Sequence, residues 1–368
     1  MTELGCAGGA AAWLESRGRR LEVMLGYSDS AKEVGMLTAN FALYRTQADL
    51  AAWAARRDIR LTIFHGRGGA LGRGGGPTNR AIWAQAPGSV ACRFKVTEQG
   101  EVTFARYGNV HIAQRHLEQV TNAVLLASTP THERDAGPGE RYDGTAAEIA
   151  EASRAAYREL IEQPGFVEFF LAATPIDEIG QLPIGSRPAR RSAGTDVESL
   201  RAIPWVFAWT QARCNLPGWF GLGAGLEAIA ARAGGLEVLR SMYRDWPFFT
   251  SLLQNAELSL IKADMPIAQL HFALSDRADL AAVIEDEYER TERLVLAVTG
   301  HERLLAEEPR LARDIELRNP YVDALSFLQV RFLGEIRDGI DDPKRAAAVS
   351  RLVQLTVNGV AAGLQNTG

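Results

Sequence analysis

The chain has 368 residues, with 40 basic against 45 acidic side chains for a formal net charge of -5, 46% hydrophobic residues and three cysteines. This composition excludes disordered, collagen-like and disulfide-stapled classes, and it argues against a dedicated nucleic-acid or anionic-membrane binder, because those partners are held by surplus Lys and Arg. At roughly 100 to 200 residues per domain, the length suits two units or one large α/β barrel with extra helices.

The N-terminus, MTELGCAGGAAAWLE, lacks the positive region of an export signal because Glu3 stands where it is needed. No run reaches the roughly 18 to 20 apolar residues that cross a bilayer, IPWVFAW being the nearest, so no membrane is expected. Cys6, Cys92 and Cys214 are odd in number and form no CxxC pair, which points to a reducing, cytoplasmic setting.

Along the chain, Leu21 to Gly26 (LEVMLG) is a short apolar run closed by Gly and the polar cluster YSDS, as expected of a buried strand entering a loop. Val34, Leu37, Phe41, Tyr44, Ala48, Ala51 and Ala55 then recur at spacings of three and four, predicting one apolar helix face over Glu33 to Arg57. Ile59 to Phe64 (IRLTIF) reads as a second strand. It runs into HGRGGALGRGGGP, whose glycines forbid regular structure and whose Pro77 can open the next helix. Further strands are expected at Arg93 to Thr97 and at Ile203 to Trp209. Thr131 to Arg141 and Gly185 to Thr195 read as long surface loops. From Leu226 onward the pattern is helical, and Val349, Leu352, Val353, Thr356 and Val360 mark a last helix. Alternating strands and helices are the βαβ signature of a parallel sheet or barrel, in which polar residues at strand C-termini carry the chemistry. Four segments follow: a lead at 1–20, strands and Gly/Arg loops at 21–130, a continuation with long loops at 131–225, and a helical region at 226–368.

The sharpest feature is the loop from His65 to Pro77, in which seven glycines surround Arg67 and Arg73. Exposed backbone N–H groups with guanidinium side chains suit a phosphate or carboxylate ligand. A flexible surface loop is the plain alternative; an RGG nucleic-acid segment and a dinucleotide fingerprint fit the length and spacing poorly. At the end of the first strand, Asp29 could ligate Mg²⁺ or Mn²⁺ and Lys32 neutralise a small anion, or Ser28 or Asp29 could simply cap a helix. His65 either packs or positions an anion. Arg201 and Arg213 flank an apolar, Trp-rich segment, with structural salt bridges as the default explanation. Lys262 lies in an apolar run within reach of Glu257 or Asp264.

Taken in order, VMLGYSDSAKEVG, FHGRGGALGRGGGP, FKVTEQGE, LPIGSRPARR, SLRAIPWVFAWTQAR, LIKAD, LRNPY and the terminal QNTG resemble the carboxy-terminal portion of the phosphoenolpyruvate carboxylase family, especially bacterial forms, from about Leu21 to Gly368. The resemblance implies an α/β, predominantly helical fold that is part of a (β/α)8 barrel with extensive additional helices. It implies Mg²⁺- or Mn²⁺-dependent carboxylation of phosphoenolpyruvate by bicarbonate to oxaloacetate and phosphate, as an anaplerotic step in the cytoplasm. Arg67, Arg73, Arg201 and Arg213 match positions that hold phosphate or bicarbonate, Asp29 matches a metal ligand, and Lys32 and His65 match residues that place bicarbonate. Lys262, Arg318, Asn366 and Arg73 match the site for inhibitory aspartate or malate.

Glu33 stands where the family usually has Asp, and IAQLH departs from a common Tyr near His271. The family's amino-terminal half, with its TAHPT-like motif, further arginines and a second metal-ligating Glu, is missing. The chain is therefore expected to be a partial one, unstable or dependent on a complementing half, whereas the full-length family forms homotetramers. A non-catalytic dicarboxylate-binding or assembly module is the alternative.

Overall fold

The computed structural model describes residues 8–66, 78–97, 100–129, 139–182 and 200–365. A short helix α1 (Gly8–Ser16) leads into strand β1 (Arg20–Leu25), followed by α2 (Ser28–Val34), α3 (Met36–Arg56), β2 (Arg60–His65), α4 (Thr78–Trp83) and β3 (Lys95–Val96). The three strands form one parallel sheet in the order β1-β2-β3, with Leu25 opposite His65 and His65 opposite Val96. Parallel neighbours need a crossover, and α2 with α3 supplies the one between β1 and β2.

The helix predicted over Glu33 to Arg57 is interrupted at Gly35, whose φ of 83° lies in the left-handed region. A Cβ there would press on the Tyr157 ring at 3.3 Å, so glycine serves both the bend and the close approach. The break rotates the buried face: Leu37, Phe41, Gln47, Leu50 and Ala54 are buried, whereas Ala55 is exposed. Leu50 packs with Leu25 and Ile63 to seal one face of the sheet. The other face carries Met24, 63% exposed, and an ion pair of Lys95 with Glu22.

The rest of the described chain is helical. It comprises α5 (Gly100–Tyr107), α6 (Val110–Ala127), α7 (Gly139–Ile161), α8 (Phe166–Ala173), α9 (Ile176–Gly180), α10 (Ala202–Gln211), α11 (Leu222–Ala230), α12 (Gly235–Asp245), α13 (Pro247–Lys262), α14 (Met265–Phe272), α15 (Ala278–Thr299), α16 (Pro309–Asp338) and α17 (Pro343–Leu364). The main core lies among these helices, where Phe166, Phe169, Phe170, Trp205, Trp209 and Trp219 are fully enclosed.

Two expectations change. The segment Ile203 to Trp209, expected as a strand, is the body of α10. A short apolar run has no periodicity to separate a buried strand from a buried helix, and Pro204 falls in the first turn, where its missing N–H costs nothing. Helix α17, contrary to the reading that no run is long enough, is long and apolar enough to cross a bilayer by length and composition. It packs along α16 instead, with Val353, Val357 and Val360 fully buried. Its Leu352, placed on the apolar face by spacing, is 40% exposed. The predominantly helical α/β class holds; the strands among the described residues make an open three-stranded sheet.

Candidate functional site

Because β1 and β2 are parallel and in register, the segment after Leu25 and the end of β2 leave the sheet on the same rim. Gly66 begins that exit. Its N–H donates to the Leu25 carbonyl at 2.9 Å, and a Cβ on it would meet the same oxygen at 2.7 Å, so only glycine permits the approach. Asp29 and Lys32 lie on α2, which follows β1 at this rim, and His65 ends β2 on it. Arg67 and Arg73 follow directly in sequence but lie outside the described residues, as does Asn366.

His65 is 3% exposed and stacks on Phe94 with ring centroids 4.8 Å apart. Its Nδ1 meets the Tyr27 hydroxyl at 2.6 Å. Burial lowers its pKa to about 4, so the ring is neutral at physiological pH. Burial likewise pushes the Tyr27 phenol upward, keeping it protonated.

Lys32 is buried on α2 and donates to the Leu200 carbonyl at 2.9 Å; its own carbonyl accepts from the Tyr157 hydroxyl at 2.7 Å. Leu200 directly precedes Arg201, the N-cap of α10, so this bond ties the start of α10 to the rim. Arg201 is half-buried there. Asp29 is exposed in the first turn of α2. No three His, Cys, Asp or Glu side chains gather as a metal site among the described residues. A single carboxylate still fits Mg²⁺, which is commonly held by one or two carboxylates with waters and substrate phosphate.

Arg213 sits elsewhere. It follows the far end of α10, about 15 Å along the helix from Arg201 at 1.5 Å per residue. It is fully enclosed, with Nη1 on Asp323 at 2.7 Å and Nη2 near Asp264 at 3.6 Å. Its carbonyl also accepts from the Asp264 N–H at 2.8 Å. The guanidinium is enclosed and paired with two carboxylates, while its Nε and Nη2 make no hydrogen bond among the described residues. The geometry thus favours the salt-bridge reading of Arg213 over an anion grip.

Lys262 ends α13, and Arg318 lies on α16. The carboxylates that sequence offered to Lys262 are engaged elsewhere: Glu257 meets His301 Nδ1 at 2.8 Å, and Asp264 holds Arg213 and accepts from the Ile267 N–H. Burial, with the positive charge of Arg318 second, lowers the Lys262 pKa to about 8. Arg318 donates through Nε to the Asp314 carbonyl, while its buried Nη1 has no partner among the described residues. Arg318 thus keeps one buried donor unpartnered among the described residues, and its charge is felt at Lys262.

Sequence reasoning passed over Tyr27 and Gln47 behind His65, Tyr157 behind Lys32, and the two aspartates around Arg213. Gln47 alone left a signal, as a polar residue on the buried face of α3.

The sequence profile described as phosphoenolpyruvate carboxylase matches residues 1–368. Among curated proteins, the chain is 45% identical to the phosphoenolpyruvate carboxylase of Roseiflexus castenholzii over 370 residues, covering 96% of this chain and 39% of that protein. It is 42% identical to the one from Corynebacterium diphtheriae, covering 96% and 40%. It is 45% identical to the one from Chromobacterium violaceum, covering 96% and 39%. The chain thus spans about two fifths of the length of these relatives.

Proposed function

The chain belongs to the phosphoenolpyruvate carboxylase family, and from that premise we propose that it supplies the carboxy-terminal portion of an enzyme joining phosphoenolpyruvate and bicarbonate into oxaloacetate and phosphate. The supporting observation is the β1–β2 register, by which α2, bearing Asp29 and Lys32, follows β1 at the same edge of the sheet where His65 ends β2, with Arg67 next but one in sequence.

In this reading a bicarbonate oxygen attacks phosphorus and the P–O bond to the enol breaks, giving carboxyphosphate and the enolate of pyruvate. Carboxyphosphate then releases CO₂ and phosphate, and the enolate carbon forms the new C–C bond. Arg67, Arg73 and Arg201 grip the phosphoryl oxygens and stabilise charge as it develops, and Lys32 offers an ammonium to bicarbonate. His65, neutral and fixed, donates a hydrogen bond to an anion oxygen without adding charge. Mg²⁺ or Mn²⁺, held in part by Asp29, would act as a Lewis acid on the phosphate and enolate oxygens. Arg213, paired with Asp323 and Asp264, is left a structural role past the far end of α10.

The open sheet, with Met24 exposed on its uncovered face, fits part of a (β/α)8 barrel completed by the remaining length of the family. Activity is therefore expected only together with that amino-terminal portion, and a homotetramer only for the full-length assembly in the cytoplasm. Oxaloacetate formation, followed by coupled reduction with NADH, tests this: turnover on mixing with the amino-terminal portion, lost in Lys32→Ala, is expected. Robust turnover by this chain alone would overturn the dependence.

A second reading, a dicarboxylate-binding module without turnover, is favoured by the Lys262–Arg318 pair. Aspartate or malate is the matching ligand, with Asn366 and Arg73 as further contacts. Calorimetry with aspartate on the folded chain tests it, and absence of heat counts against it.

A further inference from the structure

Gln47 lies on α3, 3% exposed, and its side chain spans two groups. The Ala86 backbone N–H, which can only donate, points at Gln47 Oε1 across 3.4 Å. That fixes the amide orientation, so Nε2 faces the Tyr27 hydroxyl at 3.3 Å, and an amide nitrogen can only donate. The Tyr27 oxygen therefore accepts from Gln47. Its single proton is left for the other group it meets, His65 Nδ1 at 2.6 Å. The reverse arrangement, with Nδ1–H donating to Tyr27, would leave the hydroxyl as a double acceptor with its own proton facing no acceptor among the described residues.

We propose that Gln47 and Tyr27 are positioning residues whose one-way chain of hydrogen bonds, from the Ala86 N–H to His65 Nδ1, holds the His65 ring as the neutral Nε2–H tautomer. The Nε2–H is then a fixed donor on the edge of the ring turned away from Tyr27. Phe94, stacked on the face of the ring, restrains its tilt. The consequence rests on the reading of His65 as an anion-positioning residue: a donor aimed in advance suits a phosphate or bicarbonate oxygen, whereas the other tautomer would turn a lone pair toward it.

The test is nitrogen NMR of the full 368-residue chain labelled at its six histidines, with His65→Gln used to assign the resonances. At neutral pH, His65 is expected to show an unprotonated Nδ1, at low field, and a protonated Nε2. Tyr27→Phe should move both nitrogens toward the tautomer-averaged position. Gln47→Leu should shift them the same way by less, since the phenol keeps its bond but loses the donor that orients it. A protonated Nδ1 in the unsubstituted chain overturns the proposal without need of any variant, as does a Tyr27→Phe spectrum that remains a pure Nε2–H tautomer. Inorganic phosphate separates the two readings. If Nε2 is the protonated nitrogen but phosphate leaves its resonance unmoved, the tautomer assignment stands while the anion-positioning role of His65 falls.

Discussion

The Arg213 guanidinium donates to the Asp323 carboxylate at 2.7 Å across 110 residues of sequence, and nothing of Arg213 reaches solvent. Removing one member of such a pair leaves a buried charge partly uncompensated. Asp323→Ala is expected to destabilise the chain by about 2 to 3 kcal/mol, less than for a fully buried pair because Asp264 remains and Asp323 is partly exposed. Urea unfolding measures this; an unchanged midpoint would show that the pair contributes nothing net.

Lys262 carries a pH signature. Its folded pKa of about 8 lies below the ordinary 10.5, so between those values the unfolded chain binds more protons than the folded one. Stability accordingly rises with pH across that window, and the cost of the buried ammonium is fully present below pH 8. Lys262→Met should relieve it, stabilising the chain by about 1 to 3 kcal/mol at neutral pH without anion. Aspartate binding should be abolished by that substitution and, in the unsubstituted chain, should weaken above about pH 8. Thermal denaturation and calorimetry across pH 6 to 10 check both, and a pH-independent affinity would remove Lys262 from the anion site.

Acid should act through the buried histidines. His65 and His271 have folded pKa values lowered to about 4 and about 3, each chiefly by burial, with the Arg213 charge adding to the effect at His271. Folded, they bind fewer protons than the unfolded chain below pH 6.5. Their stabilising neutrality is therefore complete above 6.5 and lost as pH falls toward those values, by up to about 1.4 kcal/mol per unit for each group. Urea midpoints at pH 7, 6 and 5 should decline, and His271→Leu should flatten the slope by about half whatever its effect at pH 7.

Gly66→Ala places a methyl 2.7 Å from the Leu25 carbonyl, a backbone atom with little room to yield. A loss of about 1 to 3 kcal/mol is expected, as for overpacking elsewhere. The same substitution should also weaken phosphate binding, because Arg67 follows this residue directly in sequence. Full stability and full binding together would contradict the close approach.

How much of this was legible depended on range. Strands β1 and β2 follow from short apolar, β-branched runs and the helical crossover from its 3.6-residue spacing, although the break at Gly35, set by the close approach of Tyr157, left no local period to read. Helix α10 was misread because its apolar run is short and enclosed on all sides, which erases the period. The pairing of Arg213 was legible only as a choice between salt bridge and ligand, since Asp264 and Asp323 reach it through tertiary folding. Gln47 stood out as a polar residue in an apolar face, but its partners Tyr27 and Ala86 lie on other elements and no spacing rule connects them.

The bond from Lys32 to the Leu200 carbonyl bridges 168 positions of the chain. Like the ring contacts of Trp246 with Phe41 and Tyr44, it depends on tertiary folding and not on local spacing. Local opening at the entry to α10 would therefore free the Lys32 ammonium from its backbone anchor at Leu200 and loosen the Leu200 edge of the aromatic interior with it.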